Sequence, residues 1–166
     1  MNEPNDLFLE HQSFGKKWWP LLLPSALVPV AITLYHWQQA PALHWFELLP
    51  LAGILLAVWG LFFALRLRTR ITQEGIYVQF WPFHWKALFF PWEKIEKAYV
   101  RSYSPMGEYG GWGLRYGFSK GKAYNVWGCK GLQLEFSDGK KLLIGTQRPE
   151  ELENTLQEAG RNYTLP

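Results

Sequence analysis

Residues 102–113 (SYSPMGEYGGWG), rich in glycine and aromatic residues, combine the residue types best suited to binding. Basic residues lie near both ends of this loop. The candidate ligand- or headgroup-binding residues are Arg101, Tyr109, Trp112, Arg115 and Tyr116. Aromatic rings beside basic side chains can stack on a ligand, hold a peptide or insert among lipid headgroups. In the alternative interpretation, the rings cover one end of the domain and the glycines allow turns.

A second group of basic residues, near the following turn, consists of Lys120, Lys122 and Lys130. These lysines could hold an anion, or they could be solvated surface charges. Interleaved aromatic and basic residues also bind nucleic acid. We do not expect a nucleic-acid partner here, because the sequence also predicts a membrane tether.

The residues that could do catalysis or hold a metal are scattered. The four histidines are His11, His36, His44 and His84, and none belongs to an HExxH motif. Cys129 has no histidine near it in the sequence and is expected to be a small buried residue. The sequence therefore predicts no catalytic residues, no metal site and no cofactor.

The elements that would position these residues begin with two apolar runs, Trp18–Gln38 and Trp45–Leu65. About 20 mostly apolar residues in a helix cross a bilayer. The two runs therefore predict a transmembrane hairpin over residues 18–65. Small residues recur on one face of the second run, at Gly53, Ala57, Gly60 and Ala64. This face could pack on the first span, on another copy of the chain or on another membrane protein.

Basic residues flank the predicted hairpin on one side. The expected membrane-surface residues are Lys16, Lys17, Arg66, Arg68 and Arg70. The positive-inside rule then places both termini of a multi-pass protein in the cytoplasm, with its spans in contact with the lipid bilayer. Residues 66–166 contain 15 Lys/Arg and 10 Asp/Glu, a net charge of +5. This charge could meet anionic headgroups or could only aid solubility.

The periodicity becomes alternating after Arg70. Strand-like runs are expected at 67–72, 75–81, 86–90, 95–101, 114–118, 123–127, 131–136 and 141–145. An amphipathic helix is expected over 148–160, and Pro149 is part of its start signal. The predicted division is a cytoplasmic arm at 1–17, with a possible helix over 6–14, the hairpin at 18–65 and a cytoplasmic β-rich domain at 66–166.

These segments together resemble a family. Two apolar runs precede RITQEGIYV and FFPWEKIEKAYV, followed by GGWGLRYG and AYNVWGCKGLQLEFSDGKKLLIGTQRPEELENTL. This order is similar to that of small, largely uncharacterised bacterial membrane proteins with a pleckstrin-homology-like (PH-like) domain. The resemblance implies a bacterial inner-membrane protein with two transmembrane helices, followed by a mainly-β PH-like barrel of about seven strands with a C-terminal α-helix.

The expected function is a binding or scaffolding module without catalytic activity, presented at the cytoplasmic membrane surface. The alternative is a lipid-responsive regulator that binds anionic headgroups through the basic-aromatic loop. PH-like folds support many kinds of binding, so the fold alone does not identify a ligand.

Overall fold

The computed structural model describes residues 6–14, 19–39, 49–117 and 120–159. They fall into two compact units. One unit holds the described residues of Met1–Gln12 and Arg66–Pro166, and the other those of Ser13–Leu65. The first is built on β-sheets and the second on two helices, and each is described by itself.

The first sheet of the β-sheet unit has four strands among the described residues. In the sheet their order is β1 (Asp6–Ser13), β2 (Arg66–Thr72), β3 (Gly75–Trp81) and β4 (Leu88–Pro91). The β2–β3 pair is antiparallel, from Arg66 opposite Trp81 to Ile71 opposite Ile76. Alternate residues of both strands are buried, as expected of a sheet with one face on a core.

The second sheet has five described strands. They are β5 (Ile95–Ser102), β6 (Gly113–Gly117), β7 (Gly121–Asn125), β8 (Lys130–Phe136) and β9 (Lys141–Gly145). Their spatial order is β5-β8-β9-β7-β6, with β7 and β9 parallel and the other pairs antiparallel. A short 3-10 helix, Trp92–Lys94, leads the chain from β4 into β5.

Aromatic side chains join the two sheets. The Phe80 and Tyr124 rings lie 6.4 Å apart, and the Phe90 and Phe136 rings 5.4 Å apart, measured between centroids. Helix α4 (Pro149–Glu158) packs along β5 and buries Leu152 and Leu156. These contacts place an apolar core between the layers of the β-sheet unit.

Strand β1 is tied to the end of β9 by side-chain hydrogen bonds. The amide of Gln12 donates to the carbonyl of Gly145 at 2.7 Å. The buried carboxylate of Glu10 accepts from the Thr146 hydroxyl at 2.7 Å and from the Gln147 backbone N–H at 2.8 Å. The possible helix over 6–14 is therefore a strand, held by partners more than 130 residues away in the sequence.

The helical unit contains α1 (Trp19–Gln39) and α2 (Leu49–Ala64). Helix α2 has 16 residues. At 1.5 Å per residue it extends about 24 Å, less than the roughly 30 Å of a bilayer's hydrocarbon core. Helix α1 is longer, but Pro24 and Pro29 lie inside it and lower its mean hydropathy. Within the described residues, neither helix combines the length and the apolar character that a membrane span requires.

This result corrects the predicted topology. The pair of transmembrane helices over 18–65 is wrong, and so is the multi-pass inner-membrane location inferred from it. Many apolar side chains of the two helices are nevertheless exposed, among them Leu27, Val28, Ile54 and Leu56. A Cβ atom added at Gly53 or Gly60 would meet no atom within 4 Å. Packing of the small-residue face, including Ala57 and Ala64, against another copy stays a prediction.

The predicted PH-like barrel of about seven strands is also wrong. The described strands form two open sheets of four and five strands. The ladder does not continue from β4 to β5, because the 3-10 helix separates them. The segment expected to be a loop contains a short helix, α3 (Pro105–Tyr109). The C-terminal helix lies where the sequence predicts it.

Candidate functional site

A cleft of about 580 Å³ lies between edge strand β4 and the second sheet. Its aromatic lining comes from both sheets and consists of Phe89, Phe90, Tyr116, Tyr124 and Phe136. Leu88 and Leu142 add aliphatic surface. The volume falls within the range of about 300–1,000 Å³ that is typical of small-molecule sites.

Three lysines line the same cleft, and they differ in their partners. The Lys140 ammonium lies 2.6 Å from the carboxylate of Asp138, and that of Lys141 lies 3.0 Å from Glu135. Lys122 has no carboxylate partner among the residues that the structure describes. The cleft thus carries one uncompensated positive charge.

The Tyr124 hydroxyl is the second polar group of the cleft without a partner. The residue is 4% exposed, its hydroxyl makes no hydrogen bond with the described part of the chain, and the hydroxyl oxygen is not among the fully buried unpaired polar atoms, so it remains accessible from the cleft. Burial raises the pKa of Tyr124, so the phenol keeps its proton at neutral pH and can donate it in a hydrogen bond. Lys122 and Tyr124 are two residues apart on β7 and therefore share one face of the strand.

His84 lies beside both residues. Its ring centroid is 5.2 Å from that of Tyr124, and its Nδ1 accepts a hydrogen bond from the Phe80 N–H at 3.3 Å. Burial, and then the charge of Lys122, lower the pKa of His84 below 6.5. His84 is therefore mostly neutral at pH 7, which leaves Lys122 as the local positive charge.

Glycine 121 allows β7 to approach β9 at the edge of the cleft. A Cβ atom there would lie 2.1 Å from the carbonyl oxygen of Lys141, and the residue has φ +76°. Only glycine accepts both conditions. This close approach brings Lys122 into register with Leu142 across the parallel pair.

The predicted binding residue Arg101 is fully occupied inside the protein. Its Nη1 and Nη2 donate to the two carboxylate oxygens of Glu108 at 3.2 and 2.8 Å. The remaining donors reach Gln133, the Ser102 carbonyl and the Tyr109 hydroxyl. A guanidinium has five N–H donors, and all five are used. A headgroup could bind Arg101 only by displacing these partners.

The other predicted residues separate onto two faces. Tyr109 is buried beside Arg101. Trp112 stacks on Trp127 with centroids 5.7 Å apart, and its carbonyl accepts from the Nε of Arg115 at 2.9 Å. Tyr116 follows Arg115 on β6, so it points to the opposite face, where it lines the cleft with 71% of its surface exposed.

The remaining predicted basic residues show no common site. Arg66 and Arg68 are exposed on β2, whereas the Arg70 guanidinium lies 4.5 Å from the centroid of the Tyr77 ring and 3.5 Å from Asp6. Lys120 and Lys130 are exposed and do not line the cleft. Lys16 and Lys17 lie outside the described residues.

Two expectations concerned reactive groups. Cys129 is exposed, not buried as the sequence suggested. Within the described residues, no three His, Cys, Asp or Glu side chains are grouped so that they could hold a metal ion.

Sequence reasoning missed most of the cleft. Phe90 and Phe136 meet only because two sheets face each other, and no local pattern records that pairing. The available signal was the alternation on β7, which places Lys122 and Tyr124 on one face.

Searches of protein-family models, of curated proteins and of solved structures gave no match to this chain.

Proposed function

We propose that this chain is a binding module without catalytic activity, and that its ligand site is the aromatic cleft between β4 and the second sheet. The observation that carries the proposal is the combination of an aromatic lining with one uncompensated ammonium, that of Lys122. Ligand sites are usually apolar clefts with a few well-placed polar groups.

The chemistry of the lining favours binding over catalysis. The residues around the cleft are aromatic, aliphatic, glycine and lysine, and no histidine, cysteine or carboxylate belongs to the described lining. Histidine and carboxylates are the commonest general acids and bases, and the lining lacks them, although lysine and tyrosine can also serve. We propose that the cleft holds its ligand and releases it unchanged.

The alternative, a headgroup-binding regulator that uses Arg101, is less favoured. Using Arg101 would break its paired contact with Glu108 and its hydrogen bonds to Gln133 and Tyr109. Breaking a charge-assisted hydrogen bond costs about 1.5–3 kcal/mol. Of the five predicted residues, Tyr116 alone lines the cleft in the described structure.

The test uses the isotope-labelled full-length chain and naphthalene-1-sulfonate, a small apolar anion. We expect NMR amide shifts at Gly121, Lys122 and Gly139, and a weaker affinity in Lys122→Gln. Lys130→Gln is the matched control, because this exposed lysine does not line the cleft. Shifts confined to α1 and α2 would contradict the proposal, since they would show binding to the exposed apolar helices alone.

A further inference from the structure

The polar groups of the cleft restrict the ligand further than its volume does. We infer that the cleft binds a long-chain carboxylate, with its carboxylate held between the Lys122 ammonium and the Tyr124 hydroxyl and its hydrocarbon chain against Phe90 and Phe136. This inference rests on the proposed function, because it names the ligand class of the same cleft.

The charge of the ligand's head group follows from which lysines of the cleft are already paired with a carboxylate. Lys140 and Lys141 are already paired with Asp138 and Glu135, so they contribute little net charge to the cleft. Lys122 alone is left to neutralise a ligand. A single unpaired ammonium matches a monoanion, whereas a polyphosphate head would need several such cations.

The Tyr124 hydroxyl indicates an acceptor on the same head. The hydroxyl makes no hydrogen bond within the described structure, and its oxygen is not one of the fully buried unpaired atoms, so it is accessible to a ligand in the cleft. A carboxylate has two oxygens and accepts from two donors. Lys122 and Tyr124 lie on one face of β7, about 7 Å apart along the strand, so their long side chains can converge on one carboxylate.

The rest of the lining explains the preference for an apolar body. Beyond these two groups, the buried and half-buried lining includes Phe90, Phe136 and Leu142, whereas all three lysines, Lys122 among them, lie at exposed positions. A ligand with polar groups along its length would lose hydrogen bonds to water there without replacing them. A hydrocarbon chain loses none.

The experiment measures decanoate binding to the full-length chain by NMR, below the concentration at which micelles form. We expect shifts at Lys122, Tyr124 and the His84 ring, and a loss of affinity of about tenfold or more in both Lys122→Gln and Tyr124→Phe. Tyr77→Phe is the matched tyrosine control, because Tyr77 lies in the first sheet and does not line the cleft. Thermal unfolding of each variant verifies that it folds.

Two comparison ligands separate the possible failures. Decyltrimethylammonium has the same chain and the opposite charge. Equal shifts at Lys122 and Tyr124 with decanoate and this cation would overturn the carboxylate head. If naphthalene-1-sulfonate shifts the cleft amides and decanoate does not, the long-chain ligand class is wrong while the binding function stands. If neither anion shifts them, both proposals fail.

Discussion

The guanidinium of Arg101 and the carboxylate of Glu108 form a two-point ion pair, with N–O distances of 2.8 and 3.2 Å. Arg101 lies on β5 and Glu108 on α3, so the pair fixes the short helix to the sheet. The same carboxylate accepts from the Ser104 N–H at 2.9 Å, at the start of α3. A residue expected to bind a ligand thus stabilises the fold.

Glu108→Gln should destabilise the β-sheet unit by about 1.5–3 kcal/mol, the usual contribution of hydrogen bonds to charged groups. At position 108, Arg101 would then face a neutral amide in place of the carboxylate. Urea unfolding followed by tryptophan fluorescence measures the change. Glu96→Gln, at an exposed position on the same strand, is the control and should change the free energy of unfolding by less than about 0.5 kcal/mol. Equal effects of the two substitutions would show that the ion pair contributes nothing specific.

Acid should lower the free energy of unfolding, partly through protonation of Glu108. The pKa of Glu108 is lowered below the 4.5 of an ordinary glutamate, and the hydrogen bonds from Arg101 are the largest cause. A lowered folded-state pKa contributes stability that is present above pH 4.5 and is lost as the pH falls through the folded-state pKa. Unfolding free energies at pH 7 and below pH 4.5 should therefore differ less in Glu108→Gln than in the parent. An unchanged difference would rule Glu108 out as an acid-sensitive group.

Lys122→Gln should raise the pKa of His84. The ammonium of Lys122 disfavours the charged imidazolium, and its removal eliminates that repulsion. Burial has the larger effect and persists, so the pKa of His84 should stay below 6.5. NMR titration of the His84 ring measures the change, with Lys130→Gln as the control. A pKa of His84 that is the same in all three proteins would place Lys122 farther away than the structure does.

Gly121→Ala should destabilise the protein more than Gly139→Ala does. Both glycines have positive φ, +76° and +78°, so alanine is strained by about 1–2 kcal/mol at either position. At Gly121 the new Cβ would also lie 2.1 Å from the Lys141 carbonyl oxygen, whereas at Gly139 it would meet no atom within 4 Å. The difference between the two unfolding free energies isolates the clash. Equal losses would mean that β7 and β9 are farther apart.

Glu10→Ala should lower the free energy of unfolding by about 3 kcal/mol, because it leaves the Thr146 hydroxyl and the Gln147 N–H without their acceptor. Glu10 is 4% exposed, so water cannot readily replace it. His11→Ala, at the exposed neighbouring position of β1, is the control. Chemical denaturation measures both. If the Glu10 variant is as stable as the control, β1 is not held to β9 through this carboxylate.

Local patterns were sufficient to predict most strands of the β-sheet unit. The run Gly75–Trp81 alternates in character and is β3 with the same bounds. The arrangement of the strands could not be predicted in the same way, because it depends on long-range pairing. Strand β1 was missed since its apolar residues also suit a helix, and its partners Gly145 and Thr146 lie at the other end of the sequence.

The membrane prediction failed for a related reason. Composition showed two apolar runs, but it did not show where each helix begins and ends. Within the described residues, helix α2 runs from Leu49 to Ala64, and residues 45–48 of the predicted run lie outside them. The candidate site was predicted in part only: Tyr116 lines the cleft, and so does Lys122, one of the three lysines that could hold an anion, whereas Arg101 is committed to Glu108. A side chain's availability depends on neighbours that a single sequence does not reveal.

The division of the chain also has a consequence for its synthesis. Strand β1 is translated before the whole of Ser13–Leu65, and β2 is made only after that segment. The partners of Glu10 and Gln12, at residues 145–147, are translated later still. During synthesis, β1 therefore remains without these partners after Ser13–Leu65 has been made. Forming the contact between Gln12 and Gly145 closes a loop of more than 130 residues. The earliest residues of this unit are thus among the last to reach their native contacts.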